Sequence, residues 1–129
     1  MPSIIQKESY NSVKVFWLNK DLLIKKLKKY INIITKKRRE IEKIILFGSF
    51  AENNFTAFSD IDLIFIVSES KERFIDRASI YMNFFRDINL ELEIFVYTKE
   101  ELKNLDIPLL KTALKTGKVL FEKIDKEKR

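Results

Sequence analysis

The pattern of apolar and polar residues predicts strands that alternate with helices. Two short, continuous apolar runs, residues 41–47 (IEKIILF) and 61–67 (IDLIFIV), are typical of buried strands. Residues 90–98 (LELEIFVYT) predict a third strand, and residues 118–122 a short last one. Residues 13–18 (VKVFWL) are either a strand or the lead-in to a helix. This order indicates an α/β or α+β domain with a central sheet.

Apolar residues at helical spacing predict the two longer helices. The first, over residues 20–39, can be capped by Asn19, and its core-facing stripe is Leu23, Leu27, Tyr30, Ile31 and Ile34. The second covers residues 71–85, with Phe74, Ala78, Tyr81 and Phe85 on one side.

End signals predict two further helices near the C-terminal end of the sequence. Thr98 and Glu101 have the spacing of a capping box, which predicts a short helix over residues 99–105. Pro108 can start another helix, and Gly117 can end it. Each helix lies between or after predicted strands, as the alternating pattern requires.

Composition limits the chemistry that is available to the chain. The 129 residues suit one domain, which we expect to cover residues 1–129 with its core at about 13–122. There is no cysteine and no histidine, which excludes disulfides, thiol nucleophiles, imidazole bases and ordinary zinc sites. Catalysis would have to use carboxylates, hydroxyls, lysines or a hard metal ion held by oxygen. With neither a long apolar run nor a signal-peptide pattern, we expect a cytoplasmic protein without a membrane span.

The charge balance favours anionic partners. The net charge is +6 and the pI about 9.4, which suits nucleotides, RNA or an acidic protein. Many basic residues of the first helix fall outside its apolar stripe, and they are consistent with a solvated face or with an RNA or acidic-partner surface. They are Lys25, Lys26, Lys28, Lys29, Lys36, Lys37, Arg38 and Arg39.

Two aspartates enter the second buried strand. Asp60 and Asp62 present their carboxylates on one face, about 7 Å apart along the backbone. Such like charges repel each other, and a bound Mg²⁺ or Mn²⁺ would remove that penalty. Glu93, with Glu91 two residues before it, can complete a three-carboxylate cluster if the third strand neighbours the second. The alternative is a turn with solvated aspartates and an ordinary half-exposed strand.

Gly48 and Ser49 directly follow the first buried strand. A glycine there lets the backbone turn tightly and approach a ligand, and the N–H groups of a following short helix can bind an anion. The Ser49 hydroxyl can donate to a phosphate oxygen. The pair is usually a turn on its own, and it gains meaning from standing ahead of the paired aspartates.

Together these residues resemble a known family. Gly48-Ser49, followed by Ser59-Asp60-Ile61-Asp62-Leu63, is similar to the signature of the nucleotidyltransferase fold in the DNA polymerase beta-like superfamily. The short length resembles the minimal nucleotidyltransferases, or MNT family. "EIFVYTKEEL" resembles the family's third-acid strand, with Glu93 as the acid, and "PLLKTALKTGKVLFE" resembles the close of archaeal members. The resemblance covers about residues 13–122 and implies a small mixed central sheet flanked by helices.

The resemblance also implies a reaction. Asp60, Asp62 and Glu93 would hold two Mg²⁺ or Mn²⁺ ions about 4 Å apart against a bound NTP, with Glu93 helping to deprotonate the acceptor hydroxyl. Gly48, Ser49 and Ser59 would bind the phosphates. An NMP, most simply AMP from ATP, would pass to that hydroxyl with release of pyrophosphate.

The family resemblance further implies a partner, and one departure from the family motif opens an alternative. Minimal nucleotidyltransferases often pair with HEPN-domain toxins and add AMP to a toxin tyrosine; a HEPN-type partner or a homo-oligomer would then complete the site. Where the family has Arg-Gly, this chain has Glu52-Asn53. An acidic residue there would repel a triphosphate. The alternative is therefore a catalytically weakened binding module that neutralises a partner or senses nucleotide.

Overall fold

The computed structural model describes residues 5–10, 13–18, 20–48, 61–88, 91–104 and 106–124. The strands in these ranges are β1 (Ile5–Tyr10), β2 (Val13–Leu18), β3 (Ile41–Phe47), β4 (Ile61–Val67), β5 (Leu92–Thr98) and β6 (Lys118–Glu122). The helices are α1 (Lys20–Lys37), α2 (Phe74–Met82), α3 (Lys99–Asn104) and α4 (Pro108–Thr116), and a 3₁₀ segment, Asn83–Ile88, follows α2.

The central sheet has the strand order β5–β4–β3–β6. Strand β3 is antiparallel to both β4 and β6, whereas β4 is parallel to β5. The parallel pair needs a crossover connection, and α2 with the 3₁₀ segment provides it. Strands β1 and β2 form a separate antiparallel hairpin. The predicted mixed central sheet flanked by helices is therefore confirmed.

The sheet buries a different apolar cluster on each face. Along β4, Leu63 and Phe65 point to the face covered by α1, α2 and the 3₁₀ segment, whereas Ile64 and Ile66 point to the face covered by α4. All of these side chains are at most 5% exposed. A strand that is buried on both faces reads as a continuous apolar run, which is why β3 and β4 have the predicted bounds.

Several predicted boundaries differ from those observed. Strand β1 was not predicted, α1 ends at Lys37 rather than at residue 39, and β5 begins at Leu92 rather than at residue 90. Helix α2 begins at Phe74 rather than at residue 71. Of the four residues predicted to share one side, Tyr81 and Phe85 are buried and Ala78 is half-buried, whereas Phe74 is 45% exposed. No helix in the described part of the chain is long and apolar enough to cross a membrane.

Gly117 ends α4, as predicted. Its backbone is extended (φ −74°, ψ 163°) rather than left-handed, and its N–H donates to the Ala113 carbonyl at 2.8 Å. A Cβ at this position would overlap the Ala113 carbonyl oxygen and the Ile45 side chain. The glycine is required because the chain passes tightly between α4 and β3 before it enters β6.

Candidate active site

Asp62 and Glu93 lie side by side at the start of the parallel strand pair. Asp62 of β4 is paired in register with Glu93 of β5, so both side chains leave the same face of the sheet. Adjacent strands lie about 4.8 Å apart, which keeps the two carboxylates close. Asp62 is half-buried and Glu93 is exposed. The sequence prediction required β5 to neighbour β4, and the sheet meets that condition.

Gly48 meets the same carboxylate from the neighbouring strand. It follows β3 directly and has φ = +75°, a left-handed conformation that favours glycine. A Cβ built on Gly48 would overlap the Oδ2 atom of Asp62. The absence of a side chain therefore serves two purposes: it allows the turn, and it leaves space for the carboxylate.

An aromatic pair at the edge of the apolar cluster beneath α4 borders this acidic site. Phe47 of β3 is paired with Asp62, and Phe95 of β5 lies two residues after Glu93 on the same face. The two rings are 5.9 Å apart between centroids. The carboxylates thus border apolar groups on one side, where charge–charge interactions are stronger than in water. The sequence analysis missed the two phenylalanines, although their period-2 relation to Asp62 and Glu93 was visible.

Several predicted site residues lie outside the described residues. Asp60, Ser49, Ser59 and the Glu52-Asn53 departure all fall in residues 49–60. Within the described ranges no group of three or more carboxylates is close enough together to hold a metal ion. The structure thus brings together two of the three predicted ligands with the predicted glycine, and the proposed role of Asp60 stays a prediction.

A cleft of about 440 Å³ lies at the other end of the parallel pair, where β4 and β5 finish. Arg77 of α2 forms its wall and is 8% exposed. Its Nη1 donates to the Glu101 carboxylate at 2.6 Å and to the Val96 carbonyl at 3.2 Å, and its Nε donates to the Glu72 carbonyl at 3.1 Å. The guanidinium charge is met within the chain, which indicates a structural role.

Glu101 connects this network to the start of α3. Its carboxylate accepts from the Thr98 N–H at 2.8 Å, and the Glu101 N–H donates to the Thr98 hydroxyl at 3.1 Å, so the predicted capping box is confirmed. The hydrogen bond from Arg77 is the main cause that holds the pKa of Glu101 below its usual value, with the bond from Thr98 adding to it. The sequence analysis found the cap and missed Arg77, although Arg77 lies one helical turn before the buried Tyr81.

The buried tyrosine of α2 is also part of a structural network. The Tyr81 hydroxyl donates to Glu40 at 2.8 Å, and Arg38 donates to the same carboxylate oxygen. Burial, followed by the bond to Glu40, raises the pKa of Tyr81 far above its ordinary value. This phenol therefore stays protonated and does not act as a general base.

The chain is similar to known proteins both in sequence and in fold. Residues 25–126 match the family model described as polymerase beta, nucleotidyltransferase. A protein of Methanocaldococcus jannaschii named "Putative protein adenylyltransferase" is 32% identical over 101 residues, which are 75% of this chain and 96% of that protein.

Two solved structures share the architecture. One, titled as a putative nucleotidyltransferase from Sulfolobus solfataricus, has a TM-score of 0.59 and 21% identity and covers 84% of this chain and 86% of that chain. The other, a toxin–antitoxin with AMP-PNP, has a TM-score of 0.58 and 18% identity and covers 74% of this chain and 73% of that chain. At these identities the likeness concerns the fold, and it confirms the one that the sequence motif implied.

Proposed function

We propose a specific reaction for this chain, which belongs to the polymerase beta nucleotidyltransferase family: it transfers AMP from ATP to a hydroxyl group of a partner protein. The observation that carries the proposal is the pairing of Asp62 with Glu93 on one face of the sheet, with Gly48 against Asp62. The name of the M. jannaschii relative supports both the adenylyl group and a protein acceptor.

The carboxylates suit a hard divalent cation. Asp62 and Glu93 supply only oxygen donors, and the chain contains no histidine or cysteine that would favour a softer metal. Among the described residues, no lysine or arginine forms an ion pair with Glu93. We propose that these two residues and Asp60 hold two Mg²⁺ or Mn²⁺ ions. When bound, the ions would neutralise the charge of the triphosphate and of the leaving pyrophosphate.

The chain's own residues would orient the reactants and move one proton. The left-handed turn at Gly48 lets phosphate oxygens approach the backbone, and the hydroxyls of Ser49 and Ser59 would donate to them. Glu93, which is exposed, would accept the proton of the acceptor hydroxyl. The acceptor oxygen then bonds to the α-phosphorus of ATP as the α–β bridging P–O bond breaks. The bridging oxygen and its electron pair leave with pyrophosphate.

The acceptor that we propose is a tyrosine of a HEPN-type toxin, with this chain as the antitoxin. The toxin–antitoxin structure that shares its fold supports this assignment. The exposed position of Glu93 supports it too, because a protein surface could dock there and complete the site. A second copy of this chain is the other candidate for that place.

A binding module with weakened catalysis is the second candidate function, and one sequence feature favours it. Glu52-Asn53 stands where the family motif has Arg-Gly, and a negative charge beside the triphosphate would weaken its binding. Both candidates have the same fold and can bind the same partner, so they differ in whether AMP is transferred to that partner.

Mass spectrometry of the co-expressed partner separates the two functions. We expect the mass of AMP on a partner tyrosine with the wild-type chain and none with the Asp60→Asn/Asp62→Asn variant. Glu100→Gln serves as the matched control, since it removes an exposed carboxylate at the opposite end of the sheet. An unmodified partner that the wild-type chain nevertheless neutralises would establish the binding module instead.

Calorimetry with a non-hydrolysable ATP analogue tests the metal directly. The wild-type chain should bind the analogue more tightly with Mg²⁺ than without it, and the Asp60→Asn/Asp62→Asn variant should lose that difference. Equal metal-dependent binding by both proteins would show that these aspartates do not hold the ion.

A further inference from the structure

The two aromatic rings that border the candidate active site differ in how far they are covered. Phe47 of β3 is 7% exposed, whereas Phe95 of β5 is half-buried. Along the face of β5 that carries Glu93, exposure falls from the exposed Glu93 through Phe95 to Tyr97, which is 6% exposed. Phe95 therefore lies at the margin of the apolar cluster beneath α4, where the covered core meets the carboxylates.

The position of Phe95 relative to Glu93 is fixed by the strand that carries both. The two residues are two positions apart in β5, which places their side chains on one face at about 7 Å along the strand. The Phe95 ring packs beside the Phe47 ring, with 5.9 Å between centroids and 58° between the ring planes. Phe47 thus supports Phe95 from one side, and a group that binds at Glu93 comes within reach of the Phe95 ring.

The order of the strands separates the two sides of the proposed reaction. Gly48 follows β3, Asp62 lies in β4 and Glu93 lies in β5, so the three residues stand in this order across the sheet. In the displacement that two metal ions assist, the attacking and leaving oxygens are in line on opposite sides of the phosphorus. With the leaving phosphates at Gly48, the acceptor hydroxyl approaches from the β5 side. Phe95 is therefore on the acceptor side of the site.

We propose that Phe95 positions the acceptor and gives a phenol preference over an aliphatic hydroxyl, an inference that rests on the proposed transfer of AMP. A tyrosine oxygen at hydrogen-bond distance from Glu93 brings its own ring to the neighbouring position on β5. Aromatic rings pair favourably at centroid distances of about 4.5–7 Å, and the spacing of Glu93 and Phe95 along β5 lies in this range. The phenolic oxygen bonds to the α-phosphorus, its proton passes to Glu93, and the α–β bridging oxygen leaves with pyrophosphate.

The ring distinguishes between acceptors because a serine or threonine offers it no partner. The hydroxyl of these residues is carried by an aliphatic side chain, which cannot form an aromatic pair with Phe95. A protein acceptor docks over a surface much larger than one ring, so the ring chiefly orients the hydroxyl within the bound complex. Its loss should therefore appear in kcat more than in KM.

Steady-state transfer of AMP to the purified HEPN-type partner tests the proposal with three variants. Phe95→Leu removes the ring and keeps an apolar side chain, and it should lower kcat by about threefold to tenfold, which corresponds to about 0.7–1.4 kcal/mol, with KM little changed. Phe95→Tyr keeps the ring and should restore transfer to near the wild-type rate. The matched control, Phe121→Leu, makes the same change at a half-buried phenylalanine of β6 that packs against the cluster on the other face of the sheet. It should transfer at the wild-type rate.

Binding of a non-hydrolysable ATP analogue with Mg²⁺ separates an acceptor role from a structural or nucleotide-binding role. Phe95→Leu should bind the analogue as tightly as the wild-type chain does, and its melting temperature should fall no more than that of Phe121→Leu. Weaker binding of the analogue would show that the ring holds the nucleotide or the shape of the site, and would overturn the proposal.

Other results would overturn the proposal in different ways. Phe95→Leu could transfer at the wild-type rate, Phe95→Tyr could be as slow as Phe95→Leu, or Phe121→Leu could lose as much activity. Mass spectrometry could also find AMP on a serine or threonine of the partner instead of on a tyrosine. Each of these requires transfer by the wild-type chain. Absence of that transfer would refute the proposed function itself, and this inference with it.

Discussion

Replacing Glu93 with glutamine should remove activity without destabilising the fold. Glu93 is exposed, it forms no ion pair with described residues, and its carboxylate is next to that of Asp62. Two neighbouring carboxylates repel each other when no metal ion is bound between them. Glu93→Gln keeps the size of the side chain and removes one of the two charges.

The size of the effect follows from the register. At a separation of about 5 Å, two carboxylates repel by about 0.8 kcal/mol in water and by about 3 kcal/mol at an effective dielectric constant of about 20. Because Glu93 is exposed and Asp62 half-buried, we expect about 1 kcal/mol. In EDTA, the melting temperature of Glu93→Gln should therefore equal that of the wild-type chain or exceed it by about 3 °C. Transfer should fall by at least about 100-fold, the usual contribution of a general base.

The assay is thermal melting in EDTA and again with Mg²⁺ and a non-hydrolysable ATP analogue. A ligand at 100 times its dissociation constant stabilises a protein by about 2.7 kcal/mol, and the variant should gain less than the wild-type chain. Glu100→Gln is the control, since it removes the same charge at the opposite end of the sheet and should behave like the wild-type chain. A drop of several degrees for Glu93→Gln in EDTA, or transfer at the wild-type rate, would refute the reasoning.

Three further variants test the structure around the site. Gly48→Ala should destabilise the fold by about 1–2 kcal/mol through its left-handed backbone and, by displacing the Asp62 carboxylate, weaken metal-dependent ATP binding measured by calorimetry. Gly117→Ala should destabilise by about 1–3 kcal/mol in urea unfolding, because its Cβ overlaps β3, while transfer per folded molecule stays unchanged. Since Arg77 holds the folded-state pKa of Glu101 below the ordinary 4.5, this carboxylate stabilises the fold above that pH and loses its effect as pH falls through the folded value. Glu101→Gln should accordingly lower stability at neutral pH and flatten its decline in acid, and an unchanged pH profile would contradict this.

Periodicity predicted the elements that the local sequence determines. Strands β3 and β4 have the predicted bounds because they are buried on both faces and read as continuous apolar runs. The capping box at Thr98 and Glu101 was predictable because all of its partners lie within four residues. These features can be recognised from residues that are close together in the sequence.

The sequence analysis missed the burial of Arg77 in α2 because the contacts that allow it are distant in the sequence. The apolar residues of α2 indicated the side that carries Tyr81, and the structure buries Arg77 as well as Tyr81. Burial of a guanidinium is unfavourable unless its donors are paired, and Arg77 finds partners at Val96 and Glu101. Both partners come from elements that follow α2, so the periodicity of α2 alone could not reveal them.

The site was predictable in its residue types but not in its geometry. The spacing of residues 48–62 and the acidic pattern of β5 identified the candidate residues. The neighbourhood of Asp62 and Glu93 depends on strand order and on a parallel register, which are set by how the crossover through α2 packs. The contact between Gly48 and Asp62 likewise depends on the register of β3 with β4.

The two ends of the parallel pair show what gives a glutamate its role in this chain. Open α/β sheets usually bind ligands where their parallel strands finish, yet at that end the charge of Glu101 is met by Arg77 at 2.6 Å. At the opposite end Glu93 is paired in register with Asp62, and no described lysine or arginine forms an ion pair with Glu93. A carboxylate whose cation comes from within the chain can contribute fully to folding. Glu93 therefore has no cationic partner among the described residues, and a cation from solvent can take that place. This difference in charge compensation, rather than the position of the cleft, is the reason to assign the chemistry to the Asp62 and Glu93 end.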